Sequence, residues 1–396
     1  MRIAMVGTRG VPARYGGFET CVEEVGRRLA DAGHEVIVYC RADERGPDTY
    51  LGMSLVWLPA LHHRVAETLS HTALSVAHGI SKARPDAAIV FNAANSPLIP
   101  PLSMSRIPVA THVDGLEWKR AKWGPVGQRY YRMAESLAVR WSDALIADAI
   151  GIQDYYQDEF GVATHLITYG APHVERADHP GLTELDLTSR GYHLVVARME
   201  PENHVSLIVD GYVRSNATAP LVLVGSAPYA DEYISSIRAL ADERVRFLGG
   251  VWDQELLDQL YANSLIYWHG HSVGGTNPSL LRAIGAGAAV NAFDVSFNRE
   301  VLGAAGRYFS QPDDIAALVT DAETDLSATL ARGESSRERA ERYDWDDVAA
   351  KYEHLCARLA NGDLRKRGSR GYRRPRPRTV EATPLLDSRL TQETHR

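Results

Sequence analysis

The chain has 396 residues, with 43 Lys+Arg against 50 Asp+Glu, a formal charge of −7, and 45% apolar and 23% charged residues. At that length two domains are expected, with ample chain to bury a core without staples. Three scattered cysteines (Cys21, Cys40, Cys356) with no CxxC pair exclude a disulfide scaffold and argue against structural zinc.

The chain opens MRIAMVGTRG, with no basic-then-apolar leader, and no stretch approaches about 18 uncharged apolar residues. A cytoplasmic globular protein is the expectation. Apolar runs that read as buried strands lie at Ile3–Val6, Val36–Tyr39, Ala87–Phe91, Val109–Thr111, Ala144–Ala147 and His165–Ile167. Helical periodicity fills the gaps. Phe18, Cys21, Val22, Val25 and Leu29 recur at i, i+3, i+4, i+7 and i+11, and Gly33 offers a C′ stop. The polar stretch from about Tyr169 to Gly191, with two prolines and three glycines, reads as a linker. A second strand series follows at His193–Ala197, Leu221–Val224, Val245–Leu248, Leu265–Trp268 and Ala288–Ala292.

Strands alternating with helices predict parallel sheets covered on both faces. The expected fold is α/β, with two Rossmann-like doubly wound domains at residues 1–170 and 192–344 joined by 171–191. From Gly362 onward ten Lys/Arg face four Asp/Glu, which leaves −13 on the rest of the chain. The run RKRGSRGYRRPRPR lacks apolar periodicity, so residues 362–396 are expected to form a disordered basic tail. An anionic lipid surface would suit that charge, and so would solvent alone. Nucleic-acid binding would rest on the tail by itself and is not expected.

Ligands of open parallel sheets bind beyond the carboxyl ends of the strands. The first such place is Gly7–Thr20, where Gly7, Gly10, Gly16 and Gly17 admit close backbone approach and Gly16–Gly17 open a helix. A helix N-terminus suits phosphate, and Arg9 and Arg14 add charge. A tight turn packing helix on strand would give the same glycines. Neither GxGxxG nor GxxxxGK[ST] is present, which disfavours a nicotinamide or flavin dehydrogenase and a P-loop enzyme.

The second place is Thr111–Trp123. His112 and Asp114 sit two apart at a strand end, as candidate hydrogen-bond donor and general base. Glu117, Trp118, Lys119, Arg120, Lys122 and Trp123 join aromatic surface to charge, a mixture suited to a sugar ring or a lipid-linked phosphate. The third place lies in the second half. Arg198 ends a strand, where a guanidinium can pair with phosphate oxygens, and Gly225 ends another. Gly274, Gly275 and Thr276 lead into a helix near Pro278, a second anion site. His269 and His271 lack further ligands, so no metal is expected.

Together, GTRGVPARYGGFE, VDGLEWKRAKW, ARMEPEN and HGHSVGGTNPSLL with FNREVLG resemble the large retaining glycosyltransferase family four of the GT-B fold. Within it the likeness is greatest to bacterial rhamnosyltransferase-like enzymes of surface-polysaccharide assembly. It covers about residues 1–360, and YDWDDVAAKYEHL (residues 343–355) is similar to the closing helix, expected at 345–361, that crosses back to the first domain. The resemblance implies a nucleoside-diphosphate sugar held mainly by the second domain. It implies a glycan or lipid-linked acceptor held by the first, and the basic tail with the Trp/Lys/Arg cluster suggests the inner membrane face.

Carried over by motif, Gly16 and Gly17 would approach the donor diphosphate, Arg198 would neutralise it, and the amides around Thr276, Asn277 and Ser279 would cap it. Asn203, Gly225, Gly275 and Arg282 would complete the donor side. His112 and Asp114 would face the acceptor and reacting sugar, with Arg14, Tyr15, Glu117, Trp118 and Lys119 on the acceptor side. Retention is drawn in this fold as same-face substitution, in which the leaving diphosphate helps take the acceptor proton. No cofactor and no metal are implied. Two departures stand out. Asn203 occupies the place of a lysine usual in the family, and Gly274 (or Ser272) and Arg282 occupy those of two glutamates. Arginine cannot accept hydrogen bonds from ribose hydroxyls, though it can meet a phosphate or a carboxylate. The alternative expectation is therefore a nucleotide-sugar-binding homologue with weak or no turnover.

Overall fold

The computed structural model describes residues 1–13, 16–42, 46–61, 66–113, 115–120, 123–225, 231–364 and 371–374. The first domain runs β1 (Arg2–Val6), α1 (Gly17–Asp31), β2 (Glu35–Arg41), β3 (Thr49–Tyr50), β4 (Met53–Leu58), α2 (Ala66–His78), β5 (Ala87–Phe91), α3 (Ile99–Met104), β6 (Val109–His112), α4 (Pro125–Trp141), β7 (Ala144–Ala147), α5 (Ile150–Phe160) and β8 (His165–Leu166). The sheet order is β3-β4-β2-β1-β5-β6-β7-β8, parallel apart from the β3–β4 pair. Every residue of β5, β6 and β7 is buried, which explains their unbroken apolar runs. The stripe on α1 faces inward as its spacing predicts, with Cys21, Val22, Val25 and Leu29 buried.

The second domain follows as α6 (Pro180–Glu184), β9 (His193–Val196), α7 (Val205–Arg214), β10 (Leu221–Val224), α8 (Asp231–Leu240), β11 (Val245–Gly249), α9 (Gln254–Asn263), β12 (Ile266–His269), α10 (Pro278–Gly285), β13 (Ala289–Phe293), α11 (Ser296–Leu302), β14 (Arg307–Phe309), α12 (Pro312–Thr324) and α13 (Leu326–Ala340). Its six strands are parallel, in the order β11-β10-β9-β12-β13-β14. Helix α14 (Trp345–Ala360) then returns to the first domain and packs along α1. Tyr352 meets the Cys21 thiol at 3.6 Å, while Arg28–Asp346 (2.5 Å) and His34–Glu353 (2.8 Å) pair across the same seam. All three cysteines are buried and unpaired, and burial pushes Cys21 and Cys356 up to about 12. Such thiols are inert.

Three expectations change. Strands β3, β4 and β14 were absent from the expected set, because β3 and β14 are two and three residues long and β4 lies toward the edge, with only Met53 and Leu55 buried. The stretch 171–191, expected to be a linker, packs on the second domain. Val174, Leu182 and Leu187 are buried, Val174 N–H donates to Gly285 O (3.2 Å), and Ala177 N–H donates to Gln259 (2.8 Å). The basic tail is also more than a solvated charge run. Residues 371–374 lie on the first domain, where the Arg373 guanidinium enters a site between α4 and α5 made of Glu135, Glu159 and Tyr155. Residues 365–370 and 375–396 of the tail lie outside the described residues. Among the described residues no helix is long and apolar enough to cross a membrane.

Candidate functional site

The strand order reverses between β1 and β5 in the first sheet and between β9 and β12 in the second. The crevice at such a switch point is where open α/β sheets take their ligands. Here the two crevices face one another. The loop after β1 ends at Gly16 (φ 107°), a positive-φ residue that turns the chain into α1, whose first amides no side chain caps among the described residues. Opposite it, the loop after β12 leads into α10, which opens on Pro278. A Cβ built on Gly17 would lie 3.0 Å from Pro278 Cγ, so the two helix N-termini approach closely.

Several contacts hold the walls together. Thr276 Oγ1 donates to Asp148 O (2.5 Å), and a Cβ on Gly275 would meet the Asp148 carboxylate at 2.0 Å. A Cβ on Gly115 would lie 2.2 Å from Gly274 Cα. The Glu300 carboxylate on α11 accepts from Ile150 N–H (3.0 Å to either oxygen) and so caps α5 from the other domain. Burial raises the pKa of Glu300 against the pull of these amides. Gly115→Ala should therefore cost about 1–3 kcal/mol by wedging backbone against backbone. Urea denaturation checks this, with Gly124→Ala, which has nothing within 4 Å, expected to be neutral.

The expected residues fall into three groups. Arg198, just beyond β9, keeps a third of its side chain exposed, with Glu200 3.4 Å away. Its loop is held by Asn203, whose amide donates to Arg198 O (2.8 Å) while its oxygen meets His271 Nδ1 (2.7 Å). Asn203 is thus a brace beneath Arg198. His271 is driven well below its usual pKa, first by burial and then by the positive fields of His269, Arg120 and Arg198. Gly225 allows β10 to end against β9, since a Cβ there would sit 1.8 Å from Ala197 O.

His112 was expected to face the cleft. It lies fully buried beneath α1, stacked on Phe91 and Tyr169 with the edge of Phe18 against it. Neither ring nitrogen finds a partner among the described residues, and burial pulls the imidazole down to about 3. It is a neutral ring at physiological pH, with unspent hydrogen-bonding capacity.

The remaining expected residues are turned elsewhere or unplaced. Ser279 points inward: its hydroxyl meets Tyr261 (2.6 Å) and Tyr267 (2.8 Å), because those buried phenols require partners. The Ser279 amide is taken by the Asn277 side chain, the N-cap of α10 (2.9 Å). Arg282 reaches back to α9, where Asp258 (3.3 Å) and Gln254 (3.0 Å) hold it. Glu117 is buried against Arg120 (2.6 Å) and accepts from Trp123 Nε1 (3.2 Å), so it braces its loop rather than offering a free acid. Arg120 also lies 3.9 Å from Glu202 in the second domain. Trp118 is flanked by Lys119 and Arg132, 5.6 and 5.2 Å from its ring. Arg14, Tyr15 and Asp114 lie outside the described residues. Among the described residues no His/Cys/Asp/Glu group is arranged to hold a metal.

Sequence reasoning passed over Asp148 and Glu300. Asp148 had a usable signal, an acid immediately after the apolar run of β7. Glu300 stands within the quoted FNREVLG segment, but nothing local marked its role, since the helix it caps is 150 residues away in sequence.

Residues 1–55 and 108–172 match the family model described as a domain of unknown function, DUF1972, and residues 187–342 match the one described as glycosyl transferases group 1. Glycogen synthase of Mycobacterium tuberculosis is 24% identical over 96% of this chain and 97% of its own. Sucrose-phosphate synthase from Thermosynechococcus elongatus is similar in structure with a TM-score of 0.76 at 18% identity, over 91% of this chain and 99% of that one. Anabaena HepE in complex with UDP-glucose gives 0.71 at 16% identity, over 90% and 100%. The fold is thus the expected one, two Rossmann-like domains in the GT-B arrangement.

Proposed function

We propose that the chain is a glycosyltransferase that moves a sugar from a nucleoside diphosphate to a glycan or lipid-linked acceptor. The observation that carries this reading is the pair of opposed helix N-termini, α1 at Gly17 and α10 at Pro278, at both switch points. The dipoles of both helices and the first amides of α1 suit a diphosphate, and the partly exposed Arg198 after β9 adds a cation. The glycosyl transferases group 1 match over residues 187–342 and the UDP-glucose bound by HepE support a nucleotide sugar as donor.

In this reading the enzyme stabilises charge developing on the leaving diphosphate through Arg198 and the N-terminal dipoles of α1 and α10. A contact of His112 with the sugar rests on the family resemblance, since its neutral ring lies buried below α1. Retention, independence of metal, a rhamnosyl donor and a role in surface polysaccharide rest on the family resemblance. Trp118 between two cations, with the cationic tail, supports an acceptor at an anionic membrane surface.

The arrangement of Arg282 favours a second reading, a nucleotide-sugar-binding homologue without turnover. With Arg282 held by Asp258 and Gln254, and Gly274 opposite, neither motif position offers a carboxylate for the ribose hydroxyls. The purified chain incubated with UDP-, dTDP- and GDP-sugars in the presence of a chelator decides between them. Slow release of one nucleoside diphosphate, unaffected by the chelator, is the expected result. Binding without release, even with acceptors supplied, supports the second reading, and no binding overturns both.

A further inference from the structure

A separate cleft of about 490 Å³ lies at the far edge of the first sheet, between β8 and α14. Its charged lining comes from His165 on β8 and from Asp347, Lys351, His354 and Arg358 on α14. The helix positions recur at i, i+4, i+7 and i+11, so one face of α14 delivers them all. Asp347 is the lone acid of the set, and it sits in the first turn of α14 beside the N-cap Asp344, where helix amides favour its charge. Lys351 and Arg358 bring positive charge, and His354 and His165 bring imidazole nitrogens. Burial, and after it the fields of Arg358 and His354, lower the pKa of His165, which favours its neutral, hydrogen-bonding form.

Lys351 and Arg358 against the single Asp347 leave this concavity with a positive balance, which suits an anion. The volume is that of a small-ligand site. Its position is also telling. The chain crosses between domains twice beside it, where Ala171 N–H donates to Tyr343 O (2.6 Å) and Gly170 packs on Trp345.

We propose that this cleft binds a small phosphate monoester, with Arg358 and Lys351 gripping the phosphate and His165 and His354 completing the shell. An occupant joins the edge of the first sheet to the helix that returns from the second domain, and so sits at the hinge. The inference is independent of the transferase reading, because none of these residues belongs to the facing crevices.

The test is calorimetric titration of the full chain with glycerol 3-phosphate and with inorganic phosphate at constant ionic strength. Saturable one-to-one binding is expected, tighter for the ester. Lys351→Gln combined with Arg358→Gln should weaken it by about tenfold or more, as loss of two charge-assisted contacts implies. Arg198→Ala should leave it unchanged. Lys351 is exposed, so Lys351→Gln alone carries the test if the double variant does not fold. Absence of saturable binding, full affinity in the cleft variants, or a loss seen only with Arg198→Ala would overturn the proposal. Equal affinity for the two probes would overturn its assignment to an ester.

Discussion

Arg373→Ala is expected to destabilise the protein by about 3–5 kcal/mol, although the residue lies in the segment that composition marks as disordered. The guanidinium pairs with Glu135 and with Glu159 (2.9 Å), donates to Tyr155 Oη (2.7 Å), and lies 4.7 Å over the Phe160 ring. Both glutamates are nearly buried, with side chains 6% and 9% exposed. Removing the arginine leaves two nearly buried carboxylates without the guanidinium they share.

The pH dependence follows from Glu135. Burial raises its pKa even with Arg373 in place, so the folded state holds its proton more tightly than the unfolded chain does. Stability from this group is present at low pH and is lost as pH rises through the raised value. Without Arg373 that value climbs further, so the defect should be largest at neutral pH and shrink as pH falls toward the carboxylate range. Urea titrations at several pH values read both effects. Glu135→Gln placed in the Arg373→Ala background should recover part of the loss, and equal defects at all pH values would show that charge is not the cause.

Arg198→Ala is expected to lower kcat/KM for donor turnover by about 10²–10³, roughly 3–4 kcal/mol of transition-state stabilisation. The reasoning is geometric. The residue leaves the end of β9 at the switch point, keeps a third of its side chain exposed, and pairs with Glu200 at 3.4 Å. Its partly exposed pair contributes little to stability, so the melting temperature should hardly move. Arg198→Lys should recover little, because an ammonium cannot match the planar fork on a diphosphate. A variant with unchanged turnover would remove Arg198 from the reaction.

The fold was legible where burial is two-sided. Runs such as Ala87–Phe91 and Ala144–Ala147 stay apolar because helices cover both faces of the sheet, and their alternation with helices fixes the parallel layout. Short or one-sided strands such as β14 and β4 leave too weak a pattern. The site was legible in its local parts: the glycine turn into α1, the Pro278 helix start and the arginine after β9. What could not be read was direction and pairing across domains. Ser279 and Arg282 sit on the expected helix, yet buried tyrosines and an acid on α9 turn them away from the crevice. Asp148 and Glu300 matter through contacts with residues more than a hundred positions away. The tail showed its charge but not the paired glutamates on α4 and α5 that receive Arg373, because nothing local marks Glu135 and Glu159 as partners.

The central claim is that a nucleoside diphosphate lies between the N-termini of α1 and α10. Hydrogen–deuterium exchange with saturating UDP, dTDP or GDP tests it most directly. At 100 times the dissociation constant, a bound nucleotide stabilises the fold by about 2.7 kcal/mol, ample for a protection signal. The account predicts that one nucleotide slows exchange in the first turns of both helices, residues 17–21 and 279–282, and that Arg198→Ala weakens the effect. Protection confined to another region, or none with any of the three nucleotides, would contradict it.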